Sequence, residues 1–225
     1  MTEQNKGYLI VVEGLDGVGK TTAISNATAS LKSMGVDVVR TAESAMEIEG
    51  LDNSFSATLI NLIRVKSTQE QADPTAQALM VNAARRAHYQ NVIKPLLEAG
   101  KVIIMDRFYL STFYNYQAKA EKNKEIYSIA MGDFEPDYTV VIKGDVDTSR
   151  DRIHKRGGVV DVTDESAMAR FDEIQNILLS QVSDKSKGCV IDGTDLPGVV
   201  TADLTAEVLY FIKTQHQSRL RGKNS

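Results

Sequence analysis

The 225-residue chain sets 26 basic against 30 acidic residues, a formal net charge of −4, with 42% apolar and 25% charged residues. Those figures suit a globular α/β domain with a sizeable core. They exclude the basic profile of a general nucleic-acid binder, so no nucleic-acid polymer is expected as a partner. The single cysteine, Cys189, excludes an intrachain disulfide framework and suits a reducing, cytoplasmic setting.

In chain order, the opening MTEQNKGYLIVVEG has no basic region followed by a long apolar one, and no segment reaches the length of a membrane span, so no membrane partner is expected. Tyr8–Val12 reads as a first buried strand, followed by helical spacing over Thr21–Met34 that Gly35 ends. Val36–Val39 is a second strand and Gly50–Ser56 a loop. Ala76–Ala99 is a helix closed by Gly100 and kinked or split late by Pro95. Strand Val102–Met105, helix Ser111–Met131, strand Tyr138–Ile142 and helix Thr148–Arg156 follow. Gly157–Asp164 is the candidate mobile loop. Helix Ser166–Ser183, strand Cys189–Ile191 and helix Pro197–Lys213 complete the set, ahead of a basic tail at 217–225. His88, His154 and His216 are too scattered to predict a zinc site.

Strand and helix alternating five times predict a three-layer αβα fold around a five-stranded parallel sheet, one domain over residues 1–216. In such sheets ligands bind beyond the carboxyl ends of the strands. After the first strand stands Gly14-Leu15-Asp16-Gly17-Val18-Gly19-Lys20-Thr21, which matches G-x4-G-K-[ST] with a helix behind it. Glycines at 14, 17 and 19 let backbone N–H groups turn toward phosphate oxygens, and the helix adds its positive end. Val18 and Thr22 lie in the same turn. Lys20 supplies a charge to β and γ phosphates, and the Thr21 hydroxyl suits magnesium. The third strand ends in Asp106-Arg107, an acid placed to hold magnesium and a guanidinium placed to clamp phosphate. The Asn123-Lys124-Glu125-Ile126 segment fails the guanine-recognition pattern of a switch GTPase at its fourth position.

On these residues the chain resembles the thymidylate kinase family. Glu13 to Thr22 is similar to that family's phosphate loop. Ala83–His88 is similar to its arginine segment, Asp106-Arg107-Phe108 with Ser111-Thr112 to its Asp-Arg-aromatic segment, and Ile191–Thr194 to its adenine-side loop. The resemblance runs from about Tyr8 to Ile212. It implies a P-loop, nucleoside monophosphate kinase-like fold with a short helical lid over about 150–166. The implied reaction transfers the γ-phosphate of ATP, with Mg2+, to a deoxynucleoside 5′-monophosphate (dNMP), dTMP first. A homodimer is also implied, with the apolar face of Ala76–Ala99 as one surface for it. It further implies Asp16 near the acceptor's 3′-hydroxyl, Arg85 on its base or phosphate and Arg107 on phosphate. Tyr116 and Gln117 would border the sugar and base, with Glu43 and Ser111 also on the acceptor side. Arg152 and Arg156 are the implied lid cations, with Lys155 a further basic residue there.

The acceptor side departs from the family pattern. Thr41-Ala42-Glu43-Ser44-Ala45 lacks an expected arginine at Ala42, for which Arg64 or Arg86 could substitute. Val81 replaces a base-stacking ring, the tyrosine–glutamine pair sits one residue later, so that Tyr114 and Asn115 compete with Tyr116 and Gln117, and Asp161-Val162 replaces Asp-Arg. Gly17 stands where one group of the family carries a basic residue. Three alternatives stay open at this point: a kinase for another or modified dNMP, a deoxynucleoside kinase, and a nucleotide-binding protein without turnover.

Overall fold

A computed structural model describes residues 6–42, 48–70, 73–110, 123–132, 134–155 and 168–221. Strand β1 (Tyr8–Glu13) is buried along its whole length. It is followed by helix α1 (Lys20–Ser33) and strand β2 (Val38–Ala42). Helices α2 (Ser54–Glu70) and α3 (Pro74–His88) pack against each other, and a π turn at Tyr89–Ile93 leads into α4 (Lys94–Glu98). Next come β3 (Val102–Asp106), α5 (Asn123–Met131), β4 (Tyr138–Lys143), α6 (Val146–Lys155), α7 (Phe171–Gln181), β5 (Gly188–Asp192) and α8 (Pro197–Arg221).

The sheet is parallel throughout, in the order β2-β3-β1-β4-β5. Burial on both faces explains its near-continuous valine and isoleucine runs. Ile10, Val12, Ile104 and Val140 face α1 and α8; Leu9, Val11, Ile103 and Met105 face the π turn, α4 and Phe108. A satellite core of Ile60, Ile63, Val81 and Ala84 joins α2 to α3.

Two expectations change. The second strand begins two residues later than Val36, because Val38 is the first to pair with Val102. Helix α2 takes only the last three residues of the expected loop Gly50–Ser56 and otherwise fills a stretch for which the sequence predicted no element. Its serine, threonine and asparagine content lowers helix propensity, and packing against α3 decides its structure. The long helix over Ala76–Ala99 is divided as expected, but by the π turn. The backbone stays right-handed helical from His88 through Lys94, and Pro95, which has no N–H to bond back to the preceding turn, follows directly on the π turn.

Candidate active site

The phosphate loop joins β1 to α1, and its glycines adopt positive φ: +150° at Gly14, +83° at Gly17 and +100° at Gly19. At Gly17 the backbone also passes so close to α6 that a Cβ would lie 2.3 Å from the carbonyl oxygen of Ser149. The loop therefore has no room for the basic residue that part of the family carries there.

Lys20 is 5% exposed, and its ammonium donates to the Leu15 carbonyl at 2.7 Å, across the loop. Burial, then the Arg107 guanidinium, lower its pKa to about 8 against the opposing pull of Asp16, Asp106 and Glu13. The Thr21 hydroxyl donates to Asp106 Oδ2 at 3.0 Å. The other oxygen, Oδ1, is buried and has no hydrogen-bond partner among the described residues. A hydroxyl beside a carboxylate with an unsatisfied oxygen is a hard-oxygen donor set, and it fits magnesium. In register, Asp106 lies between Val12 on β1 and Ala42 on β2. The place of the absent family arginine is thus directly beside the acid.

Arg107 takes φ +67°, the one positive φ outside glycine among the described residues. Its side chain folds back over the loop, Nη1 donating to the Gly14 carbonyl at 3.0 Å and Nη2 to Asp16 Oδ1 at 2.6 Å. The backbone N–H of Arg107 donates to Val12 O, and that of Phe108 to Glu13 Oε1 at 2.9 Å. Glu13, fully buried, was not among the expected site residues. Its sequence signal was the one that marks Asp106, an acid closing an apolar strand run.

Arg85, on α3, is 2% exposed. Its Nη1 donates to Asn82 Oδ1 at 2.6 Å, and its guanidinium stands 5.5 Å from the Phe108 ring centre and 5.8 Å from that of Tyr127. Asn82 in turn donates to the Ala78 carbonyl. Val81 is buried against α2, within the satellite core. Arg86 is exposed on α3, its guanidinium over Tyr89 at 5.8 Å. His88 is buried between Thr41 and Asn53, with Nε2 3.0 Å from Thr41 Oγ1 and Nδ1 2.9 Å from Asn53 Oδ1. Since Asn53 Oδ1 only accepts, Nδ1 carries the proton and Nε2 accepts from the threonine. Burial lowers the His88 pKa to about 4, so the ring is neutral. This trio ties the end of β2 to the start of α2 and the end of α3.

A cavity of about 260 Å³ opens beside the loop, lined by Val18, Gly19, Thr22, Arg152, Gly193 and Pro197 among others. Arg152 Nη1 donates to Gly193 O at 2.8 Å and Val18 O at 3.3 Å, with Gly17 O at 3.5 Å. One guanidinium nitrogen thereby joins α6, the phosphate loop and the turn after β5. That turn is shaped by Asp192, whose Oδ1 accepts from the Thr194 N–H and hydroxyl. Those bonds, with Lys143 at 2.9 Å, hold its carboxyl down to about 2. Gly14, Asp16, Gly17, Val18, Gly19, Lys20, Thr21, Thr22, Asp106, Arg107 and Arg152 converge at the carboxyl ends of β1, β3, β4 and β5. Glu43, Ser111, Tyr116, Gln117, Arg156 and the expected mobile loop Gly157–Asp164 lie outside the described residues, as does the side chain of Arg64.

The chain matches the thymidylate kinase family over residues 12–204. It is 29% identical over 215 residues to the thymidylate kinase of Glaesserella parasuis serovar 5, covering 93% of this chain and 99% of the relative. To that of Cereibacter sphaeroides it is 30% identical over 217 residues, 92% of this chain and 96% of the relative. To that of Hahella chejuensis it is 30% identical over 159 residues, covering 68% and 73%.

Proposed function

The chain belongs to the thymidylate kinase family, and on that premise we propose that it is the kinase that transfers the γ-phosphate of ATP to dTMP, giving dTDP and ADP. The observation that carries this reading is one meeting point. The phosphate loop reaches the β3 acid through Thr21 and Asp106, and the β3 arginine through Asp16 and Arg107.

Magnesium, held by Thr21 and Asp106, would neutralise charge on the β and γ oxygens. The loop N–H groups and Lys20 then bind the donor phosphates. Lys20 starts from a partly desolvated position near pKa 8, and the phosphates would draw it fully to the charged form. Arg107, on its left-handed turn, is assigned to the transferring phosphate or to the acceptor's phosphate. Asp16, now its partner, is the group assigned to the acceptor's 3′-hydroxyl. Arg85, held by Asn82 between Phe108 and Tyr127, is assigned to the base. Adenine is assigned to the cavity beside Gly19 and Pro197, with Arg152 fixing its wall. Arg156 is assigned as the lid cation.

The chain is proposed to act as one domain over 1–216, in the cytoplasm, where the lone Cys189 thiol stays reduced. A homodimer is proposed through α2. Phe55, Leu62 and Val65 on that helix, with Leu79 on α3, are apolar side chains that remain between 45% and 61% exposed. Most of the apolar face of Ala76–Ala99 is instead consumed by the core. No described helix is long and apolar enough to cross a membrane.

The test is ADP release assayed against a panel of dNMPs and thymidine, with and without magnesium. Release that requires dTMP and magnesium is expected. Release with thymidine in place of dTMP, or none with any dNMP, would refute the reading.

A further inference from the structure

Strand β1 is apolar from Tyr8 to Val12 and then closes on a carboxylate that is fully buried. Side chains alternate along a strand, so Glu13 shares the face of Leu9 and Val11, which is also the face of Phe108. Its Oε1 accepts the Phe108 N–H at 2.9 Å. One residue earlier, the Arg107 N–H extends the parallel pairing to Val12 O. Between these two bonds the chain passes through φ +67° at Arg107. A side chain is disfavoured in that conformation, which persists where the surroundings over-determine it. The same bond fixes Phe108, and the Phe108 ring is one wall for the Arg85 guanidinium.

Two arginines from different elements are therefore both linked to one hydrogen bond, Arg107 through the backbone beside it and Arg85 through the Phe108 ring. We propose that Glu13 is the positioning residue for the acceptor half of the site: its carboxylate holds Arg107 in the left-handed turn and, through Phe108, seats Arg85. This inference rests on the dTMP kinase reading only for its kinetic consequences. A shift of about 1 Å in such groups is enough to cost on the order of 100-fold in rate.

The proposal separates reach from charge. Glu13→Asp keeps the charge but draws the carboxylate back by about 1.5 Å, one carbon–carbon bond. Glu13→Gln keeps the reach and the Oε1 acceptor but removes the charge. In steady-state kinetics with dTMP varied, E13D is expected to lose roughly 100-fold in kcat/KM. E13Q should stay within about fivefold of the parent, and KM for ATP within about twofold in both. In parallel, hydrogen exchange at the Phe108 amide, measured on each protein without nucleotide, should accelerate in E13D and stay slow in E13Q. A reversed ranking, equal losses in the two variants, or parent-like kinetics in E13D would overturn the proposal. If the parent protein gives no turnover with dTMP, the functional reading fails by itself, and Phe108 exchange still judges the positioning role.

Discussion

The carbonyl oxygen of Ser149 stands in the space that a side chain on residue 17 would need, 2.3 Å from an ideal Cβ there. The loop at Gly17 also takes φ +83°. Both facts oppose any side chain, so Gly17→Arg should not gain the loop cation found elsewhere in the family. It is expected to lose about 2 kcal/mol or more of stability and most of its turnover. Denaturant unfolding and a coupled ADP assay check this, and a variant as stable and active as the parent would contradict it.

Lys20 should trade stability for function. Its ammonium is held near pKa 8 by burial, against 10.5 for an ordinary lysine. Between those values the unfolded chain keeps a proton that the native chain has released, so native stability rises with pH across that window. Below pH 8 the buried charge costs roughly 3 kcal/mol at most. Lys20→Met loses a hydrogen bond to Leu15 but sheds that cost. It is expected to abolish turnover while stabilising the nucleotide-free protein by about 1–2 kcal/mol at pH 7. The advantage should shrink as pH approaches 10, as urea titrations at the two pH values would show.

His88 sets an acid limit. Its pKa falls from 6.5 to about 4 in the native state because the ring is buried. Between pH 4 and 6.5 the unfolded chain binds the proton more readily, so stability is complete above pH 6.5 and declines as the medium is acidified. The contribution of this one residue is at most about 3 kcal/mol. His88→Leu should be less stable at pH 7, since Thr41 and Asn53 lose a partner, and should show a flatter decline from pH 6.5 to 4. An unchanged slope would refute the assignment.

Asp106→Asn tests the magnesium pair. The variant keeps an acceptor for the Thr21 hydroxyl but removes the charge, so folding is expected to be little affected. Half-saturating magnesium should rise by about tenfold or more and kcat fall by roughly 100-fold. A magnesium titration at saturating ATP and dTMP reads both quantities, and parent-like values in the two would move the metal away from Asp106.

Much of this site is written locally in the chain. The phosphate loop is a contiguous pattern whose glycine positions, strand and helix all follow from short-range rules, and the β3 acid and arginine are adjacent residues. What the sequence hid is non-local. Helix α2 is rich in poor helix formers, and Phe55, Leu62 and Val65 stay exposed, which blurs its apolar periodicity. The aromatic box around Arg85 draws Phe108 and Tyr127 from distant segments. Arg152 is named through the family resemblance, but its bonds to Val18 and Gly193 depend on how α6 lands on the loop, which no local pattern encodes. Val81 could be flagged as the missing ring, but its burial against Ile60 and Ile63 belongs to a helix the spacing did not predict.

The strand order β2-β3-β1-β4-β5 has a consequence for how such an enzyme can diversify. The central strand, β1, carries the phosphate loop as a shared boundary. Past the ends of β4 and β5 lie Arg152 and Gly193, beside the cavity proposed for adenine. Strand β2 ends at Ala42, and β3 ends on Asp106, just ahead of Arg107, two residues that the proposed reading gives to magnesium and to phosphate. Ala42, Val81 and Asn82 all belong to the β2–β3 side and its helices, whereas Gly14–Thr22, Arg152 and Gly193 do not. On the proposed reading, substitutions at Ala42, Val81 or Asn82 can retune the preferred base without touching Arg152 or Gly193, while β1 and β3, joined through Asp16–Arg107 and Thr21–Asp106, stay common to both flanks.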